Sequence, residues 1–106
     1  MKSNVITELL KIEVLPGTTS EQVIEKADVI NSFISQQDGF IDSELVRAVE
    51  GNTWYFIYHI ENMEKLMAVG EKIRSIRLFG DLMPLIEPES MKVSFYQKVK
   101  SWQSEK

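Results

Sequence analysis

From Val5 to Val14, the apolar residues Ile6, Leu10, Ile12 and Val14 recur at even positions while Thr7, Lys11 and Glu13 take odd ones. A period of two with β-branched enrichment predicts a strand with one strongly apolar face. Pro16-Gly17 breaks the pattern as a turn, and Thr18, Thr19 and Ser20 then offer N-cap side chains. Thr18 with Glu21, or Thr19 with Gln22, has the spacing of a capping box. Behind it, Val23, Ile24, Ala27, Ile30 and Ile34 predict an amphipathic helix over residues 20–36, ended by Asp38-Gly39.

The stretch from Phe40 to Glu50 alternates with mixed parity, Ile41, Leu45 and Val49 against Phe40, Val46 and Ala48. Glu50-Gly51-Asn52 is a polar turn that joins it antiparallel to Thr53–Ile60, TWYFIYHI. Aromatic and β-branched residues on both parities of that run predict a central strand covered on both sides. Asn62 caps a second helical region in which Leu66, Val69, Ile73, Ile76 and Phe79 share a face. Gly70, Gly80 and Pro84 predict a kink or break, so residues 63–86 read as two helical pieces. Met91 to Val99 alternates again, and the tail after Lys100 is polar apart from Trp102.

The order β-α-β-β-α-β is the ferredoxin-like plan, an α+β sandwich whose four-stranded antiparallel sheet carries both helices on one face. We expect a single domain of this kind over residues 1–106. Soluble monomers rarely leave a large apolar face bare, so the second apolar face of TWYFIYHI predicts a homodimer closed sheet against sheet.

Composition narrows the chemistry. Twelve Lys and Arg against 16 Asp and Glu give a net charge of -4, which argues against nucleic acid or an anionic membrane surface as partner. There is no cysteine, hence no disulfide, thiolate nucleophile or Cys-type zinc site, and the single histidine excludes a multi-His metal site within one chain. No metal is expected. Glu8, Lys11 and Glu13 interrupt the only signal-like stretch, and no run approaches the ~18 apolar residues of a membrane span. A cytoplasmic location is therefore the expectation. The glycines are dispersed, without a phosphate cradle or a nucleophile elbow.

Two side chains are candidate catalytic groups. His59 is the one residue expected to change charge near neutral pH without a perturbed environment, and it shares its parity with Tyr55 and Ile57. The competing reading is a hydrogen-bonded interface histidine. Glu8 is a carboxylate among the apolar even positions of the first strand, where it costs free energy unless paired or functional. Its structural alternative is solvent at the strand end, or a pair with Arg74 or Arg77. Trp54, Tyr55 and Tyr58 offer aromatic surface with polar tips for a planar ligand, and Arg77 is a candidate for an anionic group. Met63, Met67, Met83 and Met91 suit an adaptable pocket wall or simple gap filling.

Several segments together resemble the dimeric α+β barrel superfamily in its antibiotic-biosynthesis-monooxygenase-like branch. The first strand runs through Leu15-Pro16-Gly17 into a helix, and Asp38-Gly39-Phe40 opens the second strand where members commonly show Pro-Gly-Phe. An aromatic third strand is followed by Ile60-Glu61-Asn62-Met63-Glu64-Lys65-Leu66, where members often read Trp-Glu-Ser-x-Glu-Ala-Phe, and later by Leu82-Met83-Pro84-Leu85-Ile86. The resemblance implies a homodimer with the two sheets forming a barrel and a small apolar pocket between sheet and helices. It also implies that the Ile60 face meets the helices, so that His59 points between subunits. Relatives include cofactor-free oxygenases of aromatic quinols and heme-degrading oxygenases. Heme is disfavoured, because residues 63–86 lack the ligating histidine and Ile60 replaces the tryptophan of the heme-degrading members.

The expected function is thus a cofactor-independent monooxygenase-like protein acting on or binding a small aromatic, quinol-type molecule, with His59 or Glu8 as base. A non-catalytic binding or structural member of the same fold is the alternative.

Overall fold

A computed structural model describes residues 4–106; residues 1–3 of the expected domain lie outside the described part. The elements are β1 (Ile6–Glu13), α1 (Ser20–Ile34), β2 (Phe40–Arg47), β3 (Thr53–Ile60), α2 (Met63–Ile76), a 3₁₀ turn (Met83–Leu85) and β4 (Lys92–Gln97). All strand pairs are antiparallel in the order β2-β3-β1-β4, which is the expected ferredoxin-like α+β arrangement.

Central strands β1 and β3 set the inside and outside of the sheet. Leu10 faces Phe56 and Ile12 faces Trp54 across the ladder, and all four side chains are buried under the helices. Ile12 is wholly inaccessible, which by area transfer contributes about 1.5–3 kcal/mol. The intervening residues, Thr7, Leu9 and Lys11 on β1 with Tyr55, Ile57 and His59 on β3, line the opposite face, which no helix covers.

The helices begin where local chemistry satisfies their free N–H groups. At α1 the Thr19 hydroxyl accepts from the Gln22 backbone N–H at 3.2 Å, and the Gln22 side chain accepts from the Thr19 N–H at 2.8 Å. This is the second of the two predicted boxes. At α2 the Asn62 side chain accepts from the Lys65 N–H at 2.9 Å. Val23, Ala27, Ile30 and Ile34 of α1 enter the core as predicted, whereas Ile24 stays 46% exposed.

Three expectations change. The register of β2 shifts between Phe40 and Asp42, so Ile41 is an extra residue in a bulge. Phe40 before it and Leu45 beyond it both pack on the core, which accounts for the mixed parity of this strand. Residues 63–86 do form two helical pieces, α2 and the 3₁₀ turn, but α2 continues past Gly70 and the break comes at Arg77, which caps the helix in the left-handed conformation at φ 53°. Strand β4 covers Lys92–Gln97 rather than residues 91–99, and residues 98–106 have no regular structure.

Gly39, at φ +93°, closes the α1–β2 turn beneath the Lys65 side chain, whose Nζ reaches Asp38 at 3.3 Å and Glu61 at 3.4 Å. A Cβ added to Gly39 would lie 2.8 Å from the Lys65 Cβ, which is fixed to the helix backbone. Gly17 has a similar φ of +92° with open space around it. Gly39→Ala should therefore lose about 2–4 kcal/mol, combining backbone strain with overlap, and Gly17→Ala about 1 kcal/mol from strain alone. Urea unfolding with unchanged m-values checks this; equal losses at the two positions would refute the overlap.

Candidate functional site

Chain alternation divides the candidate residues between the two faces of one sheet. Glu8, Trp54 and Tyr58 point to the helices, while Tyr55 and His59 point to the uncovered face. No single site therefore joins Glu8 to His59.

On the helix side the layer leaves two cavities. One, of about 330 Å³, lies beneath α2 over β1 and β4. Glu8 and Leu10 contribute to it from the sheet, Met63, Met67 and Gly70 from the helix, and Phe79, Met91 and Phe95 from the segments beyond. The other, of about 380 Å³, lies between α1 and the β2–β3 half of the sheet, with Trp54, Phe56 and Tyr58 against it.

Glu8 is the carboxylate of the α2 cavity. It sits opposite Tyr58 on β3 and Phe95 on β4, and it has no hydrogen-bond or ion-pair partner among the described residues. Burial, which disfavours the charged form, raises its pKa above the ordinary carboxylate value. The Tyr58 hydroxyl is pushed up as well, first by its own burial and then by the negative charge of Glu8. It is buried without a hydrogen-bond partner, in a residue only 3% exposed. The phenol therefore stays neutral beside a carboxyl that resists ionisation.

The cation of this cavity is Arg74, not Arg77. Residues 63, 67, 70 and 74 follow one helix face at spacings of three and four, and Arg74 lines the cavity with its guanidinium close over Gly70. Arg77 would extend the same row only if the helix continued. Its left-handed capping conformation turns the chain away instead, and its side chain is exposed outside both cavities. Gly70, read from sequence as a kink, is the gap that admits the arginine. Three of the four methionines expected in a wall are there; Met83 is exposed elsewhere.

On the uncovered face, His59 Nδ1 lies 2.6 Å from Asp42 Oδ1. The bulge at Ile41 brings Asp42 opposite His59. Thr7, Ile41 and Val99 border this pair, and part-buried Leu9, Ile57 and Tyr55, with the more exposed Val46 and Tyr96, continue the apolar surface along the same face.

No known protein-family profile and no curated protein sequence matches the chain. Solved structures do match it in shape. SnoaB, a cofactor-independent oxygenase from Streptomyces nogalater, superposes with a TM-score of 0.79 at 12% identity, covering 96% of this chain and all 100% of that one. Candidate antibiotic biosynthesis monooxygenases from Nitrosomonas europaea and Bordetella bronchiseptica give TM-scores of 0.76 and 0.74. Their identities are 9% and 17%, with 92% of this chain covered in each case and 93% and 100% of theirs. The chain thus shares the βαββαβ, ferredoxin-like α+β fold of these proteins. At these identities the likeness is one of fold.

Because the folded state holds the Glu8 proton more tightly than the unfolded chain, the stability Glu8 contributes is fully present below the unfolded carboxylate pKa. It is lost as pH rises through the raised folded value. Glu8→Gln, neutral throughout, should therefore match the parent in acid and exceed it in stability towards neutral pH. Urea midpoints of both proteins measured across that range check this, and a constant difference would show that Glu8 does not titrate in this way.

Proposed function

We propose that the chain is a monooxygenase-like protein that takes a small, mostly apolar aromatic molecule of quinol type into the α2 cavity, with Glu8 as the base. The observation that carries this reading is the unpaired carboxylate of Glu8, partly desolvated in a mostly apolar cavity that Arg74 also borders. A base is most effective when its pKa approaches the working pH, and burial moves Glu8 in that direction.

In this mechanism Glu8 removes a proton from the bound quinol or its keto tautomer. The guanidinium of Arg74, at the exposed edge of the same cavity, is the cation available to the negative charge that develops on oxygen. The electron-rich carbon then gives electrons to dioxygen and forms a C–O bond. Protonation yields a hydroperoxide; loss of the remaining C–H proton with cleavage of the O–O bond leaves a carbonyl and one water. The substrate supplies all four electrons that dioxygen accepts, so the balance needs no added cofactor, in keeping with the description of SnoaB as cofactor-independent. Trp54 and Tyr58 support this site from the neighbouring half of the core rather than by stacking on the ring.

His59 and Tyr55 belong, in this reading, to the contact between two copies of the chain. The apolar surface around the His59–Asp42 pair is what a homodimer would cover.

Oxygen-electrode assays over a panel of anthrones and quinols test the activity. Glu8→Gln should lower kcat by about 10²–10⁴-fold, whereas His59→Ala should retain turnover. Ligand binding without oxygen uptake across the panel would sink the oxygenase reading and leave the non-catalytic binding protein. The assembly has its own test: native mass spectrometry should show a dimer, and Ile57→Asp should shift it to monomer. A monomeric parent would remove the proposed interface.

A further inference from the structure

The wall of the α2 cavity holds a chemistry that the proposed reaction does not use. Three of the four methionines among the described residues line it: Met63 and Met67, one turn apart on α2, and Met91 from the segment before β4. Core packing does not account for the first two. On the same helix Leu66 and Val69 are buried in the core, whereas Met63 and Met67 keep 42% and 63% of their surface open. A gap-filling thioether is buried, and these two are not.

Two features of the surroundings give these sulfurs a role. The chain has no cysteine, and no tyrosine, tryptophan or histidine lines this cavity, so its thioethers are the side chains there most open to two-electron oxidation. Glu8 borders the same space from the sheet as a carboxyl that burial disposes to hold its proton. Met83 supplies the contrast. It is 46% exposed, between Met63 and Met67, yet it lies outside the cavity.

We propose that the wall formed by Met63, Met67 and Met91 is a modification site, at which an apolar organic hydroperoxide held in the cavity is reduced and the methionines become sulfoxides. A thioether sulfur gives an electron pair to the terminal oxygen of the hydroperoxide; an S–O bond forms and the O–O bond breaks. Glu8 gives its proton to the oxygen that stays on carbon, and the proton left on the sulfur-bound oxygen returns to the carboxylate. The hydroperoxide leaves as its alcohol. Sulfur has lost the two electrons that the O–O bond gained, so no other reductant enters. The proposed oxygenase reaction forms such a hydroperoxide in this cavity, and the site rests on that reading for its source. Each sulfoxide turns a flexible apolar side chain into a polar one, so a hydroperoxide that does not collapse to the carbonyl leaves the cavity less fit for an apolar ligand.

Two oxidants separate a site from mere exposure: cumene hydroperoxide, which is aromatic and needs no turnover, and hydrogen peroxide, which an apolar cavity does not concentrate. Each is added to the full chain, and sulfoxide at every methionine is followed by peptide mass spectrometry. Cumene hydroperoxide should oxidise Met63 and Met67 about ten-fold faster than Met83, because the cavity holds it against them. Hydrogen peroxide should follow exposure and treat Met63 and Met83 alike within about two-fold. With cumene hydroperoxide, Glu8→Gln should slow the cavity methionines about ten-fold and leave Met83 as it was. A misfolded variant would instead raise Met83 with the rest. No preference for the cavity methionines, an equal preference with hydrogen peroxide, or a Glu8→Gln chain oxidised at the parent rate would each overturn the proposal. Oxygen uptake plays no part in these readouts, so a failure here and a failure of the oxygenase reading are separate results.

Discussion

The antiparallel pairing of β1 with β3 is the constraint on which the molecule depends. It sets Ile12 against Trp54, Leu10 against Phe56 and Glu8 against Tyr58, all on the side that the helices cover. A slip of one residue would turn each of these side chains to the opposite face and bring Lys11 and His59 inward. The two apolar pairs, Ile12–Trp54 and Leu10–Phe56, resist such a slip far more strongly than Glu8 could favour it. Glu8 is therefore held in an apolar setting by its neighbours' burial, and its reluctance to ionise follows from the register.

Charge then differentiates a layer that is otherwise uniformly apolar. Desolvation keeps Tyr58 neutral and the Glu8 charge reinforces that, while burial alone makes Glu8 reluctant to ionise. Tyr58 lies against the α1 cavity and Glu8 against the α2 cavity, so adjacent strands divide the two spaces. Arg74 enters only the second. Its side chain occupies the gap above Gly70, a residue whose lack of a Cβ shapes the cavity rather than bending the helix.

On β3, apolar at both parities, the Ile60 face followed only from the family resemblance, whereas on β1 alternation made the inner face legible. It also exposed Glu8, a carboxylate out of place among apolar residues. The same reasoning failed for β2, where one extra residue at Ile41 inverts the parity and leaves no compositional mark. Helix spacing placed Arg74 and Arg77 on one stripe equally well. Only the left-handed cap at Arg77 separates them, and an arginine is not a residue that announces such a conformation. The cavities were beyond sequence for a different reason. They depend on how far each helix stands from the sheet, and Ile24 reads as core on a helical wheel although it borders open space.

A sheet this thin couples its two faces. Tyr58 and His59 are consecutive residues of one strand, as are Thr7 and Glu8, so the backbone that presents the inner site also presents the outer surface. The bulge at Ile41 shows the coupling in one strand: the extra residue that brings Asp42 to His59 on the outside also brings Ser43 and Leu45 under α1 on the inside. Ser43 in turn holds Asn31, so the mouth of the α1 cavity and the histidine pair share one local distortion. Close-packed strands move as units rather than bending residue by residue. The backbone of β2 thus joins the outer face to the wall of the α1 cavity through the residues on either side of one bulge.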